Sequence, residues 1–538
     1  AFACRVKDHL DIMASTAWRV QSHWKHIASV AAAGWTASKF PLRGVHAEES
    51  SLLPDGLPDR HRGKHVYVWG RRYAIPVCEA TGDTPPEADV RVPTEISWFR
   101  VYAERQQCLW RQVAFGPSFG AARTDSGALF LWGSYKSKEG RRTWLEPTPL
   151  ACSSRITDVQ CSESAIWALT ADGKVLVWEQ IPDYLSSMSS SSSSSSRPPS
   201  REKSLSGLDR PVRKMSIGAS HATFITDDGE LYCLGANRYG ECAANPANVS
   251  VATSVRRVSL PAGANPVAMV ACGRHHTVSV ASSGQSFSWG DDSKIQLGLG
   301  DTRSNIGDER PWSGSRGFQN WLKNGESMAP HPVIREGQGF SKARSTSSAK
   351  YGEYEAHFQW RPAMMQKIPL EFERQAHGTP YPPPDGVLCG DDFTIFMVRD
   401  SPDWYPPEEE TNRLFCCGEN IRGQCGRSMQ GSQQTMAATR LPRCSFTEAA
   451  SCGSEHCLAL LRRMETPNKR ELWSWGSNEF GQAGGRAGSV CPAARLRLPE
   501  KAPARVETVW CGFSNSCAIC STRLRRSETS RRDVTEEE

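Results

Sequence analysis

The 538-residue sequence lacks long hydrophobic runs and any collagen-like glycine period. No apolar stretch approaches the roughly 18 residues that a membrane helix needs, so a membrane bundle is excluded. Glycine (44) and proline (34) are too few for a low-complexity chain. Because hydrophobic residues make up 38% of the chain and include 18 tryptophans, the chain can bury a core and is not wholly disordered.

A strong net charge is also lacking. The balance is +6, of which residues 1–46 carry +4 and residues 521–538 carry none, so the segment between them holds only +2. A nucleic-acid binder concentrates positive charge on its folded part. RNA contact is therefore not supported by the charge total, although a local basic patch would be compatible with it.

Motifs that indicate catalysis are missing too. There is no Walker A loop, no H-E-x-x-H and no dinucleotide fingerprint. Gly116–Gly120 matches G-x-S-x-G, but it lies in a loop between strands and not at a strand–elbow–helix turn. Cys517 and Cys520 form C-x-x-C, but residues three apart in a strand face opposite ways, and no second pair follows at zinc-ribbon spacing. The sequence predicts no catalytic residue, no cofactor and no metal.

What the sequence does contain is a repeat. In four units a marker residue precedes a turn glycine by 11 residues, and a second marker follows that glycine by 6: Gly116/Gly127/Gly133, Ser162/Gly173/Glu179, Gly218/Gly229/Gly235 and Gly273/Gly284/Gly290. Two further units keep both markers around longer turns, at Gly390/Gly418 and Gly453/Gly476. Each unit predicts a β-hairpin whose tight turn needs a glycine at positive φ.

The order of the half-units predicts a closed ring. The chain opens with a second half that ends at Gly70 and finishes with a first half that contains Gly512, which makes seven of each. Pairing these two halves removes both exposed sheet edges. We therefore expect an all-β, seven-bladed propeller closed by its N- and C-terminal half-repeats.

Further motifs resemble the regulator-of-chromosome-condensation repeat. After the second marker the chain reads GANRYGECA (235–243), GDDSKIQLG (290–298), GENIRGQCG (418–426) and GSNEFGQAG (476–484), and Cys-Gly-x-x-His occurs at 272–276 and 452–456. The resemblance covers about residues 62–521, and it departs in the first units, where Ser162 and Glu179 replace glycine. It implies a seven-bladed propeller; the founding member of the family is a chromatin-bound exchange factor for the small GTPase Ran.

The repeat predicts which residues are structural. Three histidines at one repeat position, His221, His276 and His456, are expected to hydrogen-bond backbone between blades. Five cysteines at another position are expected to pack near the ring axis in a reduced, intracellular protein: Cys161, Cys272, Cys389, Cys452 and Cys511. The marker glycines complete the structural set: Gly116, Gly133, Gly218, Gly235, Gly273, Gly290, Gly390, Gly418, Gly453, Gly476 and Gly512.

The resemblance also indicates an interaction face. In the exchange factor, acids and a histidine engage the GTPase from the loop between the marker glycine and the motif histidine. The corresponding positions here, which a structural repeat does not require to be charged, are our candidates for partner binding: Glu163, Arg274, His275, Asp391, Asp392 and Glu455.

Outside the repeat, the chain divides into four segments. Residues 1–61 form a basic arm, 181–209 a Ser-rich linker, 303–385 an aromatic insert, and 522–538 a charged tail predicted to be disordered. Trp312, Trp321 and Trp360 are candidate anchors of the insert, either on a partner or on the propeller itself. Residues 13–47 contain no acid and place apolar residues at helical spacing, as a mitochondrial presequence does; a generic basic tail is the alternative.

Two functions remain open at this point. The first is a non-enzymatic scaffold subunit or assembly factor of a large mitochondrial complex, with the mitoribosome as the expected instance. The second is a guanine-nucleotide exchange factor for a small Ran-like GTPase. The expected location is mitochondrial, and otherwise cytoplasmic or nuclear. Both functions require protein partners and no membrane span.

Overall fold

Seven β-sheets make up nearly all of the described structure. The computed structural model describes residues 16–19, 63–136, 142–187, 203–299, 333–335, 355–365, 384–399, 412–427, 433–442, 445–463, 465–485, 488–499 and 504–522. Each sheet contains four antiparallel strands that follow one another from the innermost to the outermost, and two of the sheets carry an extra strand. Each sheet is one blade.

The first four blades follow chain order. Blade 1 contains β4 (Trp110–Phe115), β5 (Phe119–Thr124), β6 (Leu129–Lys136) and β7 (Arg142–Leu150). Blade 2 contains β8 (Ile156–Cys161), β9 (Ile166–Thr170), β10 (Val175–Trp178) and β11 (Lys203–Ser204). Blade 3 contains β12 (Val212–Ile217), β13 (His221–Thr226), β14 (Leu231–Ala236) and β15 (Val251–Arg257). Blade 4 contains β16 (Val267–Cys272), β17 (His276–Ala281), β18 (Ser286–Asp291), β20 (Glu355–Met364) and the extra β19 (Val333–Arg335).

The last three blades complete the ring. Blade 5 contains β21 (Gly386–Cys389), β22 (Phe393–Arg399), β23 (Asn412–Gly418) and β24 (Gln433–Ala438). Blade 6 contains β25 (Ser445–Cys452), β26 (His456–Arg463), β27 (Thr466–Ser477), β28 (Val490–Leu496) and the extra β1 (Thr16–Arg19), which pairs with β25. Blade 7 contains β29 (Ala504–Gly512), β30 (Asn515–Thr522), β2 (His65–Gly70) and β3 (Val90–Glu95).

Blade 7 confirms the predicted closure. Its two inner strands come from the C-terminal part and its two outer strands from the N-terminal part. β30 and β2 pair antiparallel without a break from His65 opposite Cys520 to Gly70 opposite Asn515. The innermost strands contact one another in the order of the blades, and β29 of blade 7 contacts β4 of blade 1. The protein is a seven-bladed propeller.

The hairpin glycines adopt the conformation that the repeat predicted. Gly127, Gly173, Gly229 and Gly284 have φ between 80° and 88°. The second marker has a different reason to be glycine: Gly290 combines φ of 111° with a close approach, because a Cβ there would lie 2.3 Å from the carbonyl oxygen of His275. A side chain at that position would force the second and third strands apart.

The hydrophobic core is divided among the interfaces between blades. One cluster joins Val66 and Val68 of blade 7 to Trp110 and Trp132 of blade 1. The predicted alternation of the C-x-x-C pair is confirmed, since Cys517 belongs to this cluster and Cys520 to the cluster between blades 6 and 7. The five repeat cysteines are buried, and every cysteine in the described part of the chain is a free thiol.

Helical segments lie in the connections around the divergent blades. Helix α1 (Ser97–Gln106) follows β3 and buries Phe99 and Ala103, and two 3-10 turns, Arg72–Ala74 and Glu79–Thr81, follow β2. Helix α2 (Ile181–Ser187) follows β10 and buries Ile181 and Leu185 fully. The Ser-rich linker predicted over 181–209 is therefore wrong at both ends, where α2 and the short β11 lie.

The aromatic insert contributes two strands to blade 4, β19 and β20, which pair with each other. Its residues 355–364 return as β20, which pairs with β18 as the outer strand of blade 4. Trp360 lies on this strand and faces blade 3, because a Cβ on Gly240 would lie 2.2 Å from the Trp360 Cβ. This contact favours packing on the propeller for that residue. Trp312 and Trp321 lie outside the described residues.

Candidate protein-docking face

One face of the ring collects two kinds of loop. The innermost strand of a blade runs toward this face and the second strand runs away from it. The third strand returns and ends there at the second marker. The turns at 273–275, 390–392 and 453–455 and the loops at 235–243, 290–298, 418–426 and 476–484 therefore share what we call the loop face.

Backbone hydrogen bonds connect the turns of successive blades near the axis. Arg274 N–H donates to the Asp391 carbonyl at 2.9 Å, and Asp391 N–H donates to the Ser454 carbonyl at 3.0 Å. Ser454 N–H continues the series to the Phe513 carbonyl at 3.0 Å. The turns of blades 4 to 7 are thus held in fixed positions relative to one another.

These turns concentrate carboxylates. Asp391 is only 7% exposed, and burial together with the charge of Asp392 raises its pKa well above the usual range. Burial and the charge of Glu419 raise the pKa of Asp392, while Arg274 opposes the shift. The pKa of Glu455 is also raised by burial, with Arg422 opposing. Acids with perturbed pKa values cluster at functional sites, so these turns are the candidate site.

The loops add further acids and their cations. Burial raises the pKa of Asp291 to about 6. Lys294 Nζ lies 3.0 Å from Glu419 Oε1, and His275 Nδ1 lies 3.3 Å from Glu241 Oε1. We call the set Glu241, Arg274, His275, Asp291, Lys294, Asp391, Asp392, Glu419, Arg422 and Glu455 the charged cluster.

Each repeat loop is fixed by its own side chains. At the third loop position, Asn237, Asp292, Asn420 and Asn478 each accept, through Oδ1, the backbone N–H five residues later, at 2.8–3.1 Å. A glutamine at the seventh position accepts the N–H two residues earlier, as Gln424 does from Arg422 at 2.8 Å. Blade 3 has Glu241 there instead, fully buried and accepting from Tyr239 N–H at 2.8 Å.

The seventh loop residue also links its blade to the next. The Gln482 carbonyl of blade 6 accepts from the Ser516 hydroxyl at 2.8 Å and from Trp69 Nε1 at 2.9 Å, both in blade 7. The Glu241 carbonyl of blade 3 accepts from Thr277 and Trp289 of blade 4 in the same way. Because these bonds recur between blades, the loop face is a rigid surface.

The predicted site residues fall into two groups. Arg274, His275, Asp391, Asp392 and Glu455 come together on blades 4, 5 and 6. Glu163 occupies the equivalent turn of blade 2, two blades further round the ring. The sequence reasoning missed Glu241, Asp291 and Glu419. A signal was available, since each is an acid in a repeat loop where another loop carries an uncharged residue.

The motif histidines bridge blades as predicted, but with a different partner. His221, His276 and His456 place Nε2 within 3.0 Å of the hydroxyl of Thr277, Thr394 and Ser516, respectively. The expected acceptor was backbone. The difference arises because the hydroxyl donates its own hydrogen bond to a carbonyl of the repeat loop. The hydroxyl therefore lies between the imidazole and the backbone.

The arrangement is suited to docking. No group of three or more His, Cys, Asp or Glu residues that could hold a metal occurs among the residues that the structure describes. No helix in the described ranges is long and apolar enough to cross a membrane. A rigid surface with preorganised acids beside a few cations can bind a complementary protein surface, and electrostatic complementarity then provides specificity.

Comparison with known proteins agrees with the repeat. Models of the Regulator of chromosome condensation (RCC1) repeat match residues 212–241 and 228–280, in blades 3 and 4. The human regulator of chromosome condensation is 27% identical over 252 residues, which cover 44% of this chain and 56% of that protein. Residues 212–280 of this chain therefore contain RCC1 repeats.

Other RCC1-repeat relatives carry the name of exchange factors. The Saccharomyces cerevisiae guanine nucleotide exchange factor SRM1 is 27% identical over 207 residues, 35% of this chain and 42% of that protein. The mouse secretion-regulating guanine nucleotide exchange factor is 24% identical over 295 residues, 49% of this chain and 60% of that protein. The chain spans about half the length of the curated relatives it matches.

Solved structures of RCC1-type propellers share the fold. Human WBSCR16 has a TM-score of 0.56 at 16% identity, with 86% of this chain and 100% of that chain covered. Prp20p from Saccharomyces cerevisiae has a TM-score of 0.56 at 12% identity, with 88% of this chain and 96% of that chain covered. At these identities the likeness establishes the seven-bladed architecture and nothing further.

Proposed function

We propose that the loop face of this RCC1-repeat propeller docks a small GTPase and accelerates the release of its bound nucleotide. The observation that carries the proposal is the charged cluster, in which backbone bonds between blades hold the turns that contain Asp391, Asp392 and Glu455. Buried acids with raised pKa values lower the stability of a fold unless a partner cation is bound there. The named exchange factors among the relatives support this partner class.

The direct test is release of a fluorescent GDP analogue from a panel of small GTPases that represents each subfamily. The full chain should accelerate release from at least one of them. The double variant Asp391→Asn, Asp392→Asn should weaken this effect roughly tenfold or more, as expected when charge-assisted bonds are lost. The matched control is Asp227→Asn, Asp228→Asn, which also removes two acids, from a hairpin turn on the opposite face.

Two results would contradict the proposal. The first is no acceleration with any GTPase of the panel, by a chain whose near-UV circular dichroism shows native packing. The second is equal acceleration by the wild type and the double variant. Urea unfolding of each variant shows whether a loss of exchange comes from a loss of fold.

A second candidate is favoured by the N-terminal composition. Residues 1–46 carry six basic and two acidic residues, the balance of a mitochondrial import signal. This supports a scaffold or assembly role in a mitochondrial complex, with the mitoribosome as the first instance to test. Co-fractionation of the tagged full chain with mitochondrial ribosomes would support it. A chain that remains outside purified mitochondria would contradict it.

A further inference from the structure

A second charged site lies on the loop face, away from the charged cluster. Three arginines gather around Tyr73 where blades 7 and 1 meet. The guanidinium carbon of Arg142 lies 3.8 Å from the centroid of the Tyr73 ring. The corresponding distances are 5.0 Å for Arg72 and 5.2 Å for Arg71. We call Arg71, Arg72, Tyr73 and Arg142 the arginine cluster.

The arginine cluster is held in place by the fold. The Ser134 hydroxyl donates to the Tyr73 carbonyl at 2.7 Å and accepts from Arg142 Nη1 at 2.9 Å. One residue further on, the Ala74 carbonyl accepts from Trp132 Nε1 of blade 1 at 2.8 Å. The position of the three guanidinium groups therefore follows from the contact between blades 7 and 1.

Its positive charge is not neutralised by the described residues around it. Arg72 donates through Nη1 to the Glu87 carbonyl and through Nη2 to the Tyr73 hydroxyl at 3.3 Å, and the side chain of Arg71 lies over the rings of Tyr73 and Phe480. None of the three guanidinium groups forms an ion pair with a carboxylate in the described ranges. In agreement, Arg72 and Arg142 lower the pKa of Tyr73, and burial, together with Arg72 and Arg71, lowers the pKa of Arg142.

We propose that the arginine cluster binds a phosphomonoester dianion carried by a side chain of a protein partner. Guanidinium groups present planar forks that match phosphate oxygens in pairs, and clusters of arginine are a general means of binding phosphorylated residues. Three such groups with the Tyr73 hydroxyl supply enough donors for the three free oxygens. This site is independent of the proposed exchange activity.

The surroundings favour one phosphoryl group over a polyanion. A nucleic acid needs a row of basic contacts along its backbone. Next to the arginine cluster, Asp89 Oδ1 accepts from Arg72 N–H at 2.9 Å, and blades 4 to 6 of the same face carry the acids of the charged cluster. These carboxylates would repel the further phosphates of a nucleic-acid backbone. A phosphorylated side chain that protrudes from a protein meets only the arginine cluster.

The test uses the full chain and the 31P line width of a short phosphoserine peptide, Gly-Ser-pSer-Gly-Ser. The wild type should broaden the line, and inorganic phosphate should reverse the broadening by competition. The double variant Arg72→Ala, Arg142→Ala should weaken binding by about tenfold or more, and Arg142→Lys should weaken it less. Arg257→Ala is the control, because Arg257 lies 2.6 Å from Glu230 in an ion pair and its loss removes a positive charge outside the arginine cluster.

Three outcomes would overturn the proposal: equal broadening by the wild type and the double variant, equal loss in the Arg257→Ala control, and binding of inorganic phosphate without binding of the peptide. A single-stranded oligonucleotide that binds more tightly than the peptide through the same arginines would also overturn it and assign the surface to nucleic acid. If the double variant does not fold, Arg142→Lys and Tyr73→Phe provide the same comparison, with thermal unfolding as the check.

Discussion

The Nε2 atom of His456 in blade 6 lies 2.9 Å from the hydroxyl oxygen of Ser516 in blade 7. The same hydroxyl donates to the Gln482 carbonyl at 2.8 Å, so its proton is engaged and the imidazole must donate through Nε2–H. Gly453 makes room for the ring, since a Cβ there would lie 2.2 Å from His456 Cε1. Glycine, histidine and hydroxyl thus form one unit that joins two blades.

The first prediction concerns that hydroxyl. Ser516→Ala removes the acceptor of His456 Nε2–H and one donor to the Gln482 carbonyl, and all three groups are buried. We expect the free energy of unfolding to fall by about 1–3 kcal/mol. Urea unfolding followed by tryptophan fluorescence measures it. Ser283→Ala, at an exposed hairpin turn, should change the free energy of unfolding by no more than about 0.5 kcal/mol. A similarly small effect of Ser516→Ala would contradict the role of the hydroxyl in joining His456 to the Gln482 carbonyl.

The second prediction is a pH dependence of stability. Burial lowers the pKa of His456 to about 3, so the native protein holds this imidazole neutral while the unfolded chain takes up a proton below about pH 6.5. The stability that this group contributes is therefore complete above about pH 6.5 and is lost as the pH falls toward 3. From pH 7 to pH 5 the loss for one such histidine is about 2 kcal/mol.

His456→Gln isolates this contribution. The variant should be less stable than the wild type at pH 7, but it should lose about 2 kcal/mol less than the wild type between pH 7 and pH 5. The buried acids of the charged cluster titrate in the opposite sense, since a raised carboxyl pKa lowers stability as the pH rises. Comparing the two proteins at both pH values cancels that common term. An equal loss of stability in the wild type and in His456→Gln between pH 7 and pH 5 would show that His456 is not held neutral in the native protein.

How much of this could be predicted from sequence depends on whether a residue belongs to the repeat. The hairpins and the pairing of β30 with β2 followed from the spacing of the marker residues. The hydroxyl partners did not, although a signal exists. Thr277, Thr394 and Ser516 each follow the repeat position of the motif histidine in their own blade, and the preceding blade has a histidine at that position. Blade 5 has Phe393 in place of histidine, and blade 6 has Cys457 at the hydroxyl position.

Features outside the repeat were harder to predict because nothing in the local pattern marks them. Residues 355–364 supply the outer strand of blade 4 after a long insertion. Outer strands carry no motif, so the sequence did not indicate the position of this strand. Helix α2 begins where a polar, serine-rich stretch was expected, because Ile181 and Leu185 pack into the hydrophobic cluster between blades 1 and 2. The arginine cluster depends on a contact between the 3-10 turn Arg72–Ala74 and β6, which are far apart along the chain.

A third prediction distinguishes charge from hydrogen bonding at Glu241. Three other repeat loops have glutamine here, and Glu241→Gln keeps an oxygen that accepts from Tyr239 N–H and an amide that can donate to His275 Nδ1. We expect a change within about 1 kcal/mol, because a neutral group replaces a buried charge in the same position. Glu241→Ala leaves the Tyr239 N–H without its acceptor and should cost about 2–3 kcal/mol. Equal effects of the two variants on urea unfolding would contradict this role.

The fourth prediction tests the closure. Deleting residues 504–538 removes both inner strands of blade 7 and leaves β2 and β3 without the partner that buries Val66 and Val68. The ring would then keep six complete blades and would have two exposed edges. Exposed strand edges pair between molecules. We expect aggregation, or a broad unfolding transition, by size-exclusion chromatography and circular dichroism. Deleting 523–538 alone keeps β30 and should leave a monomer with a sharp transition. A monomeric, cooperatively unfolding 1–503 chain would show that the ring does not need its terminal pairing, because the inner strands of the other six blades would then suffice.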